Sequence, residues 1–402
     1  MHTLKPSEKY FQILLAILGF LVASLILAKH IYSAPFIDET YVIGSAKNFI
    51  LEGNYATPEF PVFSSLISTG FWSSYPSGIA AALGADKPTI RTTFFYFCCF
   101  MLLLCLRMAL GHFQLSKLEK NTWPFIFLGI FLNYIPYPES TVMSLGEIPA
   151  CAYLFLSLLF LYKNNISVGF CLLGVSVFGG KMVNMAFALP LLTLYTFNIQ
   201  KKSLTERLKP LLCFLIPFFI WDTIIAFCAG PQVAARWVFD FFGNLESFSK
   251  LAIGKGFTPA DVPRQTLLSR FSNPDLEWVH YPLLLQLKII FLLGVPTAIS
   301  FWVYRNEIKT MGLFKWCFHR PLISALLVGQ WIFAFWYFGV HPQMWIRHVQ
   351  PALVIGIALL GMYAWQYYLK NKKPLLTRYV QILIFAFFSL RIIQFIIKAG
   401  AN

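Results

Sequence analysis

Phe11–Ala28 reads FQILLAILGFLVASLILA, eighteen residues that hold one amide, one hydroxyl and no charge. A helix of this length crosses a hydrocarbon core of roughly 30 Å. The run is long for the apolar region of a signal peptide. We read it as a retained transmembrane helix, although the small residues of Tyr32-Ser33-Ala34 would permit cleavage. Comparable runs recur along the chain, and with this one they predict eleven spans, at about 11–28, 92–111, 122–136, 148–162, 166–180, 182–198, 210–229, 282–303, 321–340, 349–368 and 379–397. The third to sixth are short. The expected fold is therefore all-α: a polytopic transmembrane helix bundle forming one domain over residues 1–402.

Composition agrees. Of 402 residues, 58% are hydrophobic and only 12% charged, too few polar groups to cover a soluble chain of this size. The net charge of +15 would suggest nucleic-acid binding in a soluble protein. Its distribution argues for topology instead. With a cytoplasmic N-terminus, the six cytoplasmic segments carry 17 Lys or Arg against four acids, while the opposite side carries 12 of each over more than twice the length. That is the positive-inside pattern, and no nucleic-acid partner is expected. Seven of the eight cysteines fall in apolar runs and Cys317 in a basic loop, so no disulfide framework is indicated.

Two long loops, 29–91 and 230–281, fall on the outer side, where loops of this length are usually functional. Residues 39–52 place Val42, Ala46, Phe49 and Ile50 on one helical face, which predicts an amphipathic helix lying on the membrane surface. Residues 232–253 show a weaker version. Pro58, Pro61 and Pro76 are expected to break the first loop into pieces.

Four sets of charged residues could carry chemistry. Asp38 and Glu39 open the amphipathic segment, where mutual repulsion would suit one of them to act as a base; an N-cap role for Asp38 is the plainer alternative. Glu139 and Glu147 stand in a short outer segment, at a wet cavity or simply exposed. Lys181 follows Gly179-Gly180 between two apolar runs and must pair, reach the surface or hold an anion. Arg347 and His348 stand at the mouth of the tenth span, as phosphate ligands or as flanking polar residues beside Trp345. Asp222, Arg107, Lys288 and Arg391 also fall inside spans; Arg107 and Lys288 can snorkel, and Asp222 and Arg391 are harder to dismiss.

In their order these features resemble the GT-C superfamily of polytopic glycosyltransferases, which includes aminoarabinose and protein-mannosyl transferases. Asp38-Glu39 before a helix containing Ala46-Lys47-Asn48-Phe49 is similar to the family's acidic pair, and Tyr137-Pro138-Glu139 through Gly146-Glu147 to its acidic second loop. Gly174 through Lys181, followed by Pro190, resembles a Gly-Leu-Ala-x-Leu-Thr-Lys segment, and Arg347-His348-Val349-Gln350-Pro351 resembles Arg-Tyr-x-x-Pro. Gly179-Gly180 departs from the usual Leu-Thr, and His348 from the tyrosine. The large soluble C-terminal domain of some members is not expected within these residues.

The resemblance implies a glycosyltransferase that moves a hexosyl or pentosyl group from a polyprenyl-phosphate donor to a glycolipid, polysaccharide or protein acceptor. The setting would be the extracytoplasmic face of a bacterial inner membrane. It implies Asp38 as base or acceptor-orienting acid, Glu39 as its neighbour, and Lys181, Arg347 and His348 as phosphate ligands. Glu139, with Glu147 in the same loop, would shape the acceptor side. Some members use a divalent ion and others do not; Asp38 and Glu139 are the carboxylates that would hold one here. From the residues alone, a secondary transporter or lipid flippase and a lipid-linked polysaccharide polymerase or ligase stay open.

Overall fold

The computed structural model describes residues 6–34, 37–59, 63, 69–197, 203–249, 277–340, 346–370 and 374–400. Several helices begin at residues that satisfy their free N–H groups. Asp86 caps one start through Thr89 N at 3.0 Å, Ser116 and Glu119 form a reciprocal capping box at another, and Ser203 caps a third. The first half of the chain forms α1 (Pro6–His30), α2 (Ile37–Glu52), α3 (Phe71–Ala82), α4 (Lys87–Leu110), α5 (Lys117–Tyr134), α6 (Glu147–Tyr162), α7 (Ile166–Gly174) and α8 (Met185–Thr196). The second half forms α9 (Leu204–Ala229), α10 (Pro231–Ser249), α11 (Glu277–His280), α12 (Leu283–Val303), α13 (Arg305–Met311), α14 (Leu313–His319), α15 (Pro321–Phe335), α16 (Ile346–Lys370) and α17 (Pro374–Gly400). Turns of 3₁₀-helix occur at Pro138–Thr141 and Met182–Asn184, and π-helical segments at Val175–Gly180 and Trp336–Val340. Among the described residues the only extended pairing is a single antiparallel bridge between Thr69 and Lys181.

The fold is an all-α bundle in which seven helices are long and apolar enough to cross a membrane: α1, α4, α9, α12, α15 with its π-helical extension, α16 and α17. A helix lies at each of the eleven expected spans, but the count of crossings reaches seven and not eleven on this ground. α6, α7 with its π segment, and α8 with the turn before it are apolar but shorter. α5 carries Lys117, Glu119 and Lys120 in its first turn.

Two expectations for the outer loops need correction. Pro76 does not break the chain; it sits inside α3. Proline removes the bond to the carbonyl four residues back, which is that of Trp72, and the Tyr153 hydroxyl on α6 donates to this carbonyl instead, at 3.2 Å. α2 buries Val42, Ser45 and Ala46 against α3, while Ile50 is exposed, so the expected four-residue apolar face is only partly covered. α10, expected to be the weaker surface helix, buries Ala234, Trp237 and Phe241, and the two aromatics pack against Phe218 of α9, Trp237 tilted and Phe241 edge-on. Pro61 lies outside the described residues.

One large core joins α7, α8, α9, α15 and α16 around Phe170, Phe187, Trp221, Phe333 and Leu353. A second ties α1, α4, α5 and α6 through Leu27, Phe94, Leu132 and Ile148. Within a bilayer, helices gain nothing from leaving lipid for one another, so close backbone approach and shape decide association. α1 and α5 show this. A Cβ at Gly129 would lie 2.4 Å from the Gly19 carbonyl oxygen, and one at Gly19 would lie 2.6 Å from that of Phe125. Gly129→Ala therefore drives the helices apart and is expected to cost about 1–3 kcal/mol. Gly361→Ala, on α16 with open space around it, is expected to be neutral or to stabilise by up to about 1 kcal/mol. Thermal unfolding in detergent checks both; equal melting temperatures for the two variants would contradict the crossing.

Candidate functional site

Arg91, four residues into α4, is fully buried and is the post on which the site is built. Its Nε and Nη2 donate to the two oxygens of Glu39 at 2.9 and 2.6 Å. Its Nη1 donates to the carbonyls of His30 at 2.8 Å and Ser33 at 2.9 Å. Lys87 adds a bond to the Ser33 carbonyl at 2.7 Å. A guanidinium out of water needs both a counter-charge and acceptors for its donors, and its fixed fork fits a carboxylate side-on. This arrangement ties the end of α1, the start of α2 and the start of α4 together.

Glu39 is thereby committed to Arg91 through both oxygens. Asp38, one residue earlier, faces another partner: its Oδ2 accepts from Nη1 of Arg347, at 2.5 Å, across 309 residues of sequence. Arg347 is buried in the first turn of α16, and Asp38 is partly exposed. Three residues further along α16, buried Gln350 donates to the Tyr137 carbonyl at 2.9 Å and the Ser140 hydroxyl at 2.8 Å. Those bonds hold the 3₁₀ turn that presents Glu139, whose Oε1 stands 3.3 Å from Nε2 of His30.

Glu147 begins α6 directly after Gly146, which has φ +82°. A side chain at Gly146 would be strained by that angle, and its Cβ would also lie 2.3 Å from Thr69 Cγ2. Thr69 donates its hydroxyl to the Leu145 carbonyl at 2.8 Å and accepts from the buried Tyr55 hydroxyl at 2.7 Å. The same strip of chain bridges Lys181, with Gly70 N bonded to the Gly180 carbonyl at 2.8 Å. Lys181 follows the π-helical segment and ends in an extended backbone, and its Nζ reaches Glu147 at 3.3 Å with both side chains buried. The glycine pair at 179–180 has a steric cause: a Cβ at Gly179 would lie 2.3 Å from Trp72, and one at Gly180 2.8 Å from Ala150.

Tyr137 joins these groups. Burial first, then the carboxylates of Glu139 and Glu147, push its phenol well above the ordinary range, while Arg347 pulls the other way. The phenol thus stands within electrostatic reach of both the Glu147 and the Arg347 pairs and stays protonated. The turn after Lys181 also packs against α6 and α16.

The structure thus brings together Asp38 with Arg347 and Glu147 with Lys181. It places Glu39 on Arg91 and Glu139 on His30. His348 lies against the Trp336 ring, with centroids 6.3 Å apart. Of the charges expected inside spans, Arg107 is exposed and Asp222 is half-buried on α9. Arg91, His30 and Gln350 were not singled out in the sequence. Arg91 reads there as a flanking charge, because α4 also carries Lys87 and Arg107 and nothing in the local pattern sets it apart. Among the described residues no group of three or more His, Cys, Asp and Glu side chains converges; Asp38 pairs with Arg347 and Glu139 stands beside His30. No family model, curated protein or solved structure matches the chain.

If Arg91 is the post, Glu39→Gln leaves a buried cation without its counter-charge and is expected to destabilise by about 3–5 kcal/mol. Arg91→Lys cannot reproduce the fork and is expected to lose part of that stability. Thermal unfolding in detergent reads both, and a wild-type melting temperature for Glu39→Gln would remove Arg91 from this role.

Proposed function

We propose that the chain is a polytopic membrane glycosyltransferase of the GT-C kind. It moves a sugar from a polyprenyl-phosphate donor to a hydroxyl-bearing acceptor at the extracytoplasmic face. The observation that carries this reading is the Asp38–Arg347 pair, formed across 309 residues. It places a partly exposed carboxylate beside a buried guanidinium, and Glu147 and Lys181 form a second, buried acid–cation pair.

The roles follow from charge. The donor's phosphate is an anion and competes with Asp38 for Arg347, whose planar fork suits phosphate oxygens. Binding the donor frees the Asp38 carboxylate for the acceptor. The acceptor hydroxyl gives its proton to Asp38 while its oxygen bonds to the anomeric carbon. The bond from that carbon to the phosphate oxygen breaks, and polyprenyl phosphate leaves with the electron pair, giving inversion. Arg347 and Lys181 stabilise the negative charge growing on the leaving phosphate. Tyr137, kept protonated by its burial, offers a neutral hydrogen-bond donor on the segment that carries Glu139. Arg91 and Glu39 act through the backbone by fixing the first turn of α2, and so the direction of Asp38. Glu139, held beside His30, is assigned to the acceptor.

Purified protein incubated with a panel of polyprenyl-phosphate sugars tests the reading by which donor is consumed. On the donor that reacts, Asp38→Asn is expected to lower kcat by about 10²- to 10⁴-fold and, because Asp38 is partly exposed, to lower the melting temperature less than Glu39→Gln does. Full activity in that variant removes the mechanism. Solute flux in proteoliposomes that hold no sugar donor would favour a transporter instead.

A further inference from the structure

We infer that Lys288 and Arg391 form a separate site for the phosphate of an anionic lipid, at the end of α5 that leads into Tyr137. Lys288 is the sixth residue of α12, and Arg391 lies well inside α17. Both belong to helices apolar enough to cross a membrane. A cation at that depth is costly unless it is paired or hydrated. Two that share one place cost more, because they repel.

They do share one place. Arg391 Nε donates to Asn133 Oδ1 at 3.0 Å, and its Nη1 donates to Gln394 at 3.3 Å. Lys288 Nζ stands 5.3 Å from the centre of the Tyr134 ring. Asn133 and Tyr134 are the last two residues of α5, and Tyr134 also touches Phe387 of α17. The two cations thus bear on adjacent residues at the end of α5.

Among the described residues neither cation has an acid within ion-pair reach, unlike Arg91, Arg347 and Lys181. The contacts they do make are with neutral groups, which leave the ammonium protons and the Nη2 side of the guanidinium open to an acceptor. Both side chains are half-buried, and the surface around them is apolar: Leu284, Leu287, Phe291 and Leu390 are all exposed. A soluble anion would have to leave water to reach such a setting. A lipid brings the missing negative charge to this depth on its own acyl chains. The site does not depend on the sugar-transfer reading.

The probe is phosphatidylglycerol, with phosphatidylcholine as the neutral comparison, added to the full-length protein in neutral detergent and read by native mass spectrometry. Wild type is expected to retain phosphatidylglycerol in preference. Each cation lost, in Lys288→Gln or Arg391→Gln, is expected to weaken retention about fivefold, and the double variant about thirtyfold. The charge-keeping Lys288→Arg is expected to restore it. A phosphatidylglycerol carrying a diazirine near its headgroup locates the lipid on unaltered protein, so the result does not depend on the variants folding. Crosslinks are expected within 131–136, 284–291 or 387–394. Crosslinks confined to other segments, equal retention of the two lipids, or undiminished retention in a folded double variant would each overturn the proposal. Displacement of the lipid by millimolar inorganic phosphate would overturn the lipid as the ligand.

Discussion

A single guanidinium removed from solvent governs the geometry of the polar end of this molecule. Arg91 cannot stay buried without an anion and several acceptors. The chain meets that demand by bringing Glu39 and the carbonyls of the 30–33 turn to it. The first turn of α2 is fixed as a result. Asp38 is then directed away from Arg91, toward Arg347 on a helix more than three hundred residues later. The positions of the more exposed acids thus follow from the neutralisation of the most enclosed cation.

The same logic runs through the neighbouring groups. Glu147 answers Lys181, and Gln350 satisfies the turn that carries Glu139. In a low-dielectric surrounding, each unpaired charge or amide would cost more than the contact it displaces. This explains why a layer rich in formal charge sits on a bundle made almost wholly of apolar side chains.

Much of the helical frame was legible, because the length of an apolar run measures its ability to cross hydrocarbon. The shorter runs gave helices, α6 to α8, that fall below the length at which an apolar helix alone is enough to read a crossing. α3 was not legible: its continuity through Pro76 depends on a hydroxyl from Tyr153, far along the sequence. The relative weight of α2 and α10 was misjudged because α10 buries its aromatics on α9, a partner no local pattern names. The charged residues of the site were visible as candidates. Their pairing was not, because no spacing rule links positions 38 and 347 or 147 and 181. Arg91 escaped notice because a cation near a helix start looks the same whether it faces water or is enclosed.

The contact of residues 69–70 with 179–181 is main chain against main chain, without a side-chain cushion between them. Such a joint has no rotamers to absorb displacement. The strip that begins α3 and the hairpin tip that carries Lys181 must therefore travel as one lever. Any breathing of the protein that opens the space around Lys181 swings α3 with it, and a distance label on either segment would report the movement of both.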